Sequence, residues 1–192
     1  MNLPAKKQIT KEDILEAAFG IVKERGMGAL NMRDIAMRCD CSTQPIYLSF
    51  SGMEELKEEV AKKIAASFDK FIGDEIAKGE YPEYKAIGMG YIRFAKEEKE
   101  LFKYLLMRNR TEESDWETGE FDKSTHIIMK NYGLYNDEAS KLHAEMWICV
   151  HGIATMFATG YLDWDWETVS EMVTDVFNGL TGKTKKGDIN GN

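Results

Sequence analysis

The chain has 192 residues, 43% of them apolar, and a net charge of −8. That length supports one sizeable domain or two small ones, and no run of about 18 apolar residues offers a membrane span. Three cysteines, an odd number with a Cys-x-Cys pair at 39 and 41, argue against a disulfide framework and for a reducing, cytoplasmic setting.

Helical periodicity runs through nearly the whole chain, and prolines occur only at positions 4, 45 and 82. The opening residues, MNLPAKKQIT, lack the apolar core of a signal peptide. Thr10 and Asp13 resemble a helix cap ahead of Ile14, Ala18, Ile21 and Val22, which share one face, and Arg25-Gly26 reads as a stop. Asn31 can cap a short helix, MRDIAMR, that turns Ile35 and Ala36 inward. Cys39-Asp40-Cys41 forms a turn, in which Asp tolerates the left-handed backbone. Ser42 is the expected N-cap of a second short helix, TQPIYLSF. Pro45 then falls at its third position, where no intrahelical N–H is lost. Two short helices around a three-residue turn make a helix-turn-helix, whose second helix enters the DNA major groove.

This stretch resembles the DNA-binding signature of the TetR (tetracycline-repressor) family of bacterial transcription factors. The resemblance is carried by Ile35-Ala36, Ser42, Tyr47, Phe50, Glu54-Glu55 and Leu56, in order and spacing, with residues 10–26 as the family's first helix. The chain departs from the pattern at Asp40 (usually Gly), Ser49 (often His or Tyr) and Met53 (often Lys). The last change removes a charge that often meets phosphate.

Further on, Leu56, Val60, Ile64, Phe68 and Ile76 recur at helical steps, predicting a long amphipathic helix that ends by Gly79. Pro82 opens a new unit. Tyr84, Ile87, Tyr91 and Phe94 form one stripe, and Leu101, Phe102, Leu105 and Leu106 another. The acidic segment TEESDWETGE at 111–120 reads as a loop or frayed helix start, followed by a helix to about residue 132. A long helix from about 137 to 162 is apolar on more than one face. A last one, 165–180, carries Val169, Met172, Val173, Val176 and Phe177. The expectation is an all-α fold of about nine helices. A DNA-binding part would span residues 1–55, a helical effector-binding and dimerisation part 56–182, and a disordered tail 183–192.

Charge divides the same way. Residues 1–57 hold eight basic and eight acidic side chains, so the remainder carries the entire −8. An acidic body keeps DNA away from every face but the intended one.

The resemblance implies a ligand-responsive regulator, most simply a repressor, that binds a palindromic double-stranded operator as a homodimer and is released by a small molecule. Thr43, Gln44 and Pro45 would lead the recognition helix after Ser42. Gln44 can pair bidentately with adenine, and Pro45 can touch a thymine methyl. Asn31, Arg33, Tyr47 and Lys57 are the candidate phosphate contacts, with Lys6 and Lys7 as an arm along the backbone. Eleven methionines and twenty-one aromatic residues suit an adaptable apolar pocket. Its candidate lining is Tyr91, Phe94, Phe102, Met107 and Met129, with Trp147 and His151. Trp147, His151 and Gly152 also resemble a Trp-His-Gly feature of one TetR subgroup. The small residues Gly152, Ala154 and Ala158 fit a dimer contact, with Val173, Val176 and Phe177 as its other half.

No nucleophile motif, phosphate loop or metalloprotease motif occurs, so neither catalysis nor a cofactor is assigned. His143 and His151 share a helix face, but no Cys-x-x-Cys supports them as ligands, and no metal site is assigned. Two alternatives stay open: a helical small-molecule-binding protein without operator binding, and a metal-responsive regulator.

Overall fold

Local signals set the helix ends. Thr10 and Asp13 form a reciprocal capping box at the start of α1 (Lys11–Arg25), with Asp13 N–H donating to Thr10 Oγ1 at 3.1 Å and Thr10 N–H to Asp13 Oδ2 at 2.9 Å. A single 3₁₀ turn (Met27–Ala29) leads to α2 (Met32–Arg38), capped by Asn31 through a 2.9 Å bond from Asp34 N–H. Then follow α3 (Gln44–Ser49), α4 (Met53–Ala77), α5 (Glu83–Glu97), α6 (Lys99–Leu106), α7 (Gly119–Tyr132), α8 (Asn136–Ala158) and α9 (Trp166–Gly187). The structure, a computed structural model, describes residues 9–107 and 119–187. Among them there are nine α-helices and no strand, the all-α fold read from periodicity. The Lys6–Lys7 arm and most of the acidic 111–120 segment lie outside the described residues. None of the described helices is long and apolar enough to cross a membrane.

Two boundaries differ from the sequence reading. The cap position of α3 is Thr43, not Ser42, and Pro45 therefore stands second in the helix rather than third. Neither position loses a bond, since the first four N–H groups of a helix have no intrahelical acceptor. At the other end, α9 runs on to Gly187, into the segment whose composition predicts disorder.

The chain forms two compact units. One comprises the residues up to Phe68 together with Glu100–Leu106; the other comprises Asp69–Lys99 and the residues from Met107 onward. The division between these compact units falls inside α4. Leu56, Val60, Ile64 and Phe68, on the first half of α4, are buried among the residues of the first unit, and periodicity alone does not reveal that. With them in that core stand Ile14, Ile21, Ile35, Ile46, Phe50 and Phe102. Each such side chain contributes roughly 1.5–3 kcal/mol by leaving water.

In the second unit, α8 packs on α5, α7 and α9, which is why it is apolar on several faces. Small residues set the spacing around α5. A Cβ on Gly90 would stand 3.1 Å from Glu75 Cβ and Ile72 Cδ1, and one on Gly88 would meet Val150 Cγ2 at 3.5 Å. Glu75, only 2% exposed, is held between Lys78 (2.5 Å) and Arg93 (3.3 Å), and the Arg93 guanidinium lies 4.6 Å from the Trp166 ring. This buried ion pair ties the end of α4 to α5, and the ring contact ties α5 to α9.

Candidate functional site

The turn between α2 and α3 places the recognition helix. Cys41 N–H donates to Ala36 O at 2.9 Å and Asp40 N–H to Met37 O at 3.2 Å, the paired bonds that close a helix through a left-handed residue. That residue is Asp40, with φ of 50°, the only non-glycine with positive φ among the described residues. Asp thus fills a position usually held by Gly, as its side chain allows. Next, Ile46 and Phe50 are buried and anchor α3, while Thr43, Gln44, Tyr47 and Leu48 face solvent. Tyr47 is 61% and Leu48 81% exposed, and Met37 on α2 is 74% exposed. The signature's acidic pair also acquires a physical role. The Glu55 carboxylate accepts Ser51 N–H at 2.6 Å at the start of α4, which holds its carboxyl below the usual range.

Most cations of this unit are already paired. Lys11 meets Glu55 at 3.3 Å, Arg25 meets Asp34 at 2.6 Å, Arg38 binds Glu24, and Lys63 bridges Glu12 and Glu16. The Arg38 and Arg25 guanidiniums hold the Glu24 and Asp34 carboxyls below their ordinary values. Of the phosphate candidates, Lys57 lies 2.8 Å from Glu54 in an exposed pair, which is worth little and is easily exchanged for a phosphate. The Asn31 amide is engaged at both ends, accepting from Asp34 N–H and donating to Ala29 O at 3.1 Å. Arg33 is exposed and enters no ion pair among the described residues.

The second unit contains a cavity of about 310 Å³ between α5, α7, α8 and α9. Its walls are mainly aromatic and aliphatic: Tyr84, Ile87 and Tyr91 from α5, Tyr132 from α7, Met146, Trp147 and Val150 from α8, Val173 and Phe177 from α9. Two tyrosine–histidine pairs brace it. The Tyr84 hydroxyl lies 2.9 Å from His143 Nδ1, and the Tyr91 hydroxyl 2.8 Å from His151 Nδ1, with the donor in each set by the ring tautomer. Burial lowers the His143 pKa to about 4, also lowers that of His151, and pushes the Tyr84 hydroxyl up. At neutral pH both rings are therefore uncharged.

Of the seven pocket candidates, the cavity includes Tyr91 and Trp147. His151 stands behind them, stacked on Trp147 with ring centroids 4.9 Å apart. Phe94 is fully buried and packs edge-on against Phe71 at 5.4 Å. Phe102 is fully buried in the first unit, and Met107 and Met129 do not line the cavity. Val173 and Phe177, read from sequence as dimer residues, line the cavity, and Ala154 and Ala158 are buried within this chain. Gly152 and Val176 keep partial exposure. Tyr84, Lys85, Tyr132 and His143 were missed as lining residues. Tyr84 and Tyr91 share one stripe of α5, and His143 and His151 share one face of α8. That each stripe meets the other is a tertiary fact. Among the described residues no cluster of three or more His, Cys, Asp or Glu could hold a metal.

Comparison with known proteins gives both units a family. Residues 14–60 match the family of bacterial regulatory proteins of the tetR type, and residues 84–177 match the tetracyclin repressor-like C-terminal domain. No curated protein matches the chain. Among solved structures, a TetR-like transcriptional regulator from Rhodococcus sp. RHA1 is similar, with a TM-score of 0.68 at 15% identity over 92% of this chain and 99% of that one. A TetR-family transcriptional regulator from Haemophilus influenzae has a TM-score of 0.59 at 15% identity over 88% and 94%. The multidrug binding protein EbrR, complexed with imidazole, has a TM-score of 0.57 at 16% identity over 88% and 96%. At such identities the likeness to these structures is one of fold.

Proposed function

The chain belongs to the tetR family of bacterial regulatory proteins, and from that premise we propose that it is a repressor released from its operator by a small, largely apolar molecule. The observation that carries the reading is the cavity of about 310 Å³, apolar and aromatic-walled, in a chain whose other unit exposes a recognition helix. That volume lies at the lower end of the ~300–1,000 Å³ typical of ligand sites. EbrR is described as a multidrug binding protein, and an aromatic-walled cavity that includes the adaptable Met146 suits comparable breadth here.

In this proposal Thr43 and Gln44 meet base edges, with Gln44 pairing to adenine and Pro45 and Leu48 touching thymine methyls. Arg33, Tyr47 and Lys57 hold phosphates, Arg33 without first giving up an ion pair. Two copies place their α3 helices in successive turns of the major groove, roughly 34–36 Å apart. The dimer contact lies on α8, where Ile148 (66% exposed) and Met156 (41%) flank Gly152, which has nothing within 4 Å of its Cβ position. Val176 on α9 completes it. This revises the sequence-based choice of Ala154 and Ala158, which have no exposed surface to offer. Effector and DNA oppose each other through differential affinity for two conformations.

The test is a titration of the protein onto its own upstream DNA, read by fluorescence anisotropy, with and without a library of apolar compounds. Tight, sequence-specific binding that falls as a compound saturates the cavity is the expected result. Compounds that bind the protein without any DNA binding would support a small-molecule-binding protein lacking operator function.

A further inference from the structure

The cavity is not uniformly apolar. One wall carries Lys85, on the first turn of α5. Its ammonium donates to Ser170 Oγ at 2.7 Å and Thr174 Oγ1 at 2.8 Å, one turn apart on α9, and sits 4.8 Å from the centre of the Tyr81 ring. Every one of these partners is neutral. No carboxylate pairs with Lys85 among the described residues, although the chain has 33 Asp and Glu against 25 Lys and Arg. No Asp or Glu is among the described residues lining the cavity, and His143 is uncharged there. The cavity therefore carries one net positive charge inside an acidic protein.

A half-buried ammonium normally finds a carboxylate, because leaving it among apolar walls is costly. Two hydroxyls and a ring face offset part of that cost. They also fix the ammonium's position. The Thr174 hydroxyl donates to Ser170 O at 2.8 Å, so its lone pairs are directed to Lys85 and its own torsion is set. Two of the three ammonium N–H groups donate to hydroxyls, and beyond the Tyr81 ring face no third hydrogen-bond acceptor meets the ammonium among the described residues. Asn178, one turn beyond Thr174, adds an amide to the same wall. The remaining lining, including Ile87, Tyr91, Trp147 and Val150, offers no charge at all.

We propose that the effector is an amphipathic monoanion whose carboxylate binds Lys85 and whose apolar, ring- or chain-bearing body lies against Tyr91, Trp147 and Phe177. This rests on the reading of the cavity as the effector site and names its ligand class. A single ammonium suits a monoanion. A phosphate dianion would call for the fork of an arginine or for a second cation, and the lining holds no arginine and no lysine besides Lys85. The chain's overall negative charge does not oppose entry, since exposed charges beyond about 8 Å are screened at physiological salt, whereas the contact with Lys85 is partly enclosed and screened little.

The experiment uses four probes with one body: 4-phenylbutyrate, 4-phenylbutanol, 4-phenylbutyramide and 4-phenylbutylamine. Affinities are measured by calorimetry on the full chain, on Lys85→Met, which keeps the apolar stem, and on Lys85→Arg, which keeps the charge. Nile red, neutral and apolar, reports separately whether the cavity takes up ligands. The carboxylate should bind the native protein about tenfold or more tighter than the alcohol and amide, and the amine should bind weakest. In Lys85→Met that preference should disappear, with alcohol affinity moving by less than about threefold; in Lys85→Arg it should persist. Uptake of Nile red with no preference for the carboxylate would overturn the anionic assignment and leave the cavity reading standing. Survival of the preference in Lys85→Met would overturn that assignment equally. Failure of Nile red and all four probes to bind would remove the cavity reading, and this inference with it.

Discussion

The recognition helix and the cavity break the usual distribution of side chains in opposite directions. α3 exposes Tyr47 and Leu48, with Met37 on α2 also exposed, while the cavity is lined by an ammonium, tyrosines and a histidine among apolar walls. Scattered exposed apolar residues are ordinary, but exposed large ones grouped at a motif, and polar groups held inside, are the informative exceptions. In the proposed function each is a surface to be covered: the first by a wide flat partner with methyl groups and phosphates, the second by a small molecule with one polar end. The difference lies in where stability comes from. α3, only six residues long, is anchored by the buried Ile46 and by Phe50 at its end, which leaves its outer face exposed. The cavity is held by four helices around it, so its polar groups can be positioned without maintaining the core.

The largest effect should come from extending the comparison to α8, whose Ile148 and Met156 are also exposed. If a second copy covers them, Ile148→Glu leaves a carboxylate unpaired in an apolar contact at a cost of about 3–5 kcal/mol. Sedimentation should then show monomers at concentrations where the native chain is dimeric, with folding intact. A native chain that is monomeric at micromolar concentration would refute the dimer.

At the DNA face, Gln44→Ala should weaken specific operator binding by roughly 1–3 kcal/mol and leave random DNA nearly unaffected. Leu48→Ala should change folding stability by less than about 0.5 kcal/mol, since Leu48 is 81% exposed, and still weaken operator binding. Equal losses on operator and random DNA would make both residues bystanders. Arg33→Ala should instead weaken binding to every sequence and lower the salt slope by about one unit; an unchanged slope would remove Arg33 from the phosphate contacts.

Asp40→Gly tests how the recognition helix is set. Relief of a left-handed non-glycine backbone should raise stability by about 1 kcal/mol in urea titration, with operator affinity preserved. A loss of stability would mean that the Asp40 side chain contributes more than its backbone costs.

The smallest effect belongs to the cavity. The His143 pKa is lowered from 6.5 to about 4 by burial. The unfolded chain therefore binds a proton that the folded one refuses, and the stability gained from keeping His143 neutral is present above pH 6.5 and is lost as pH falls toward 4. Carboxylates titrate in the same range, so the measurement is a difference: melting temperature should fall less steeply between these pH values in His143→Gln than in the native chain. Identical slopes would place His143 in solvent.

Much of this protein is legible in one dimension. Thr10, Asn31 and Gly79 end or begin helices where they stand, because capping is decided by neighbours three or four residues away. The helix-turn-helix is legible for the same reason: its turn, its caps and its inward residues lie within thirty residues of one another. The Ser42 cap is not formed: the cap position falls at Thr43, whose backbone is helical and whose side chain makes no cap hydrogen bond. The cavity is another matter. Periodicity places Tyr84 and Tyr91 on one face, and His143 and His151 on another, but it contains no statement of which helix faces which. Val173 and Phe177 could equally have met a second copy, and Phe94 could equally have met a ligand. Packing of α5 against α8 and α9 decides these cases, together with the ammonium of Lys85, whose partners stand 85 and 89 residues away along the chain. Apolar stripes state that a face will be buried; only the close packing of helices around one another determines whether protein, ligand or a hydroxyl fills the space in front of it.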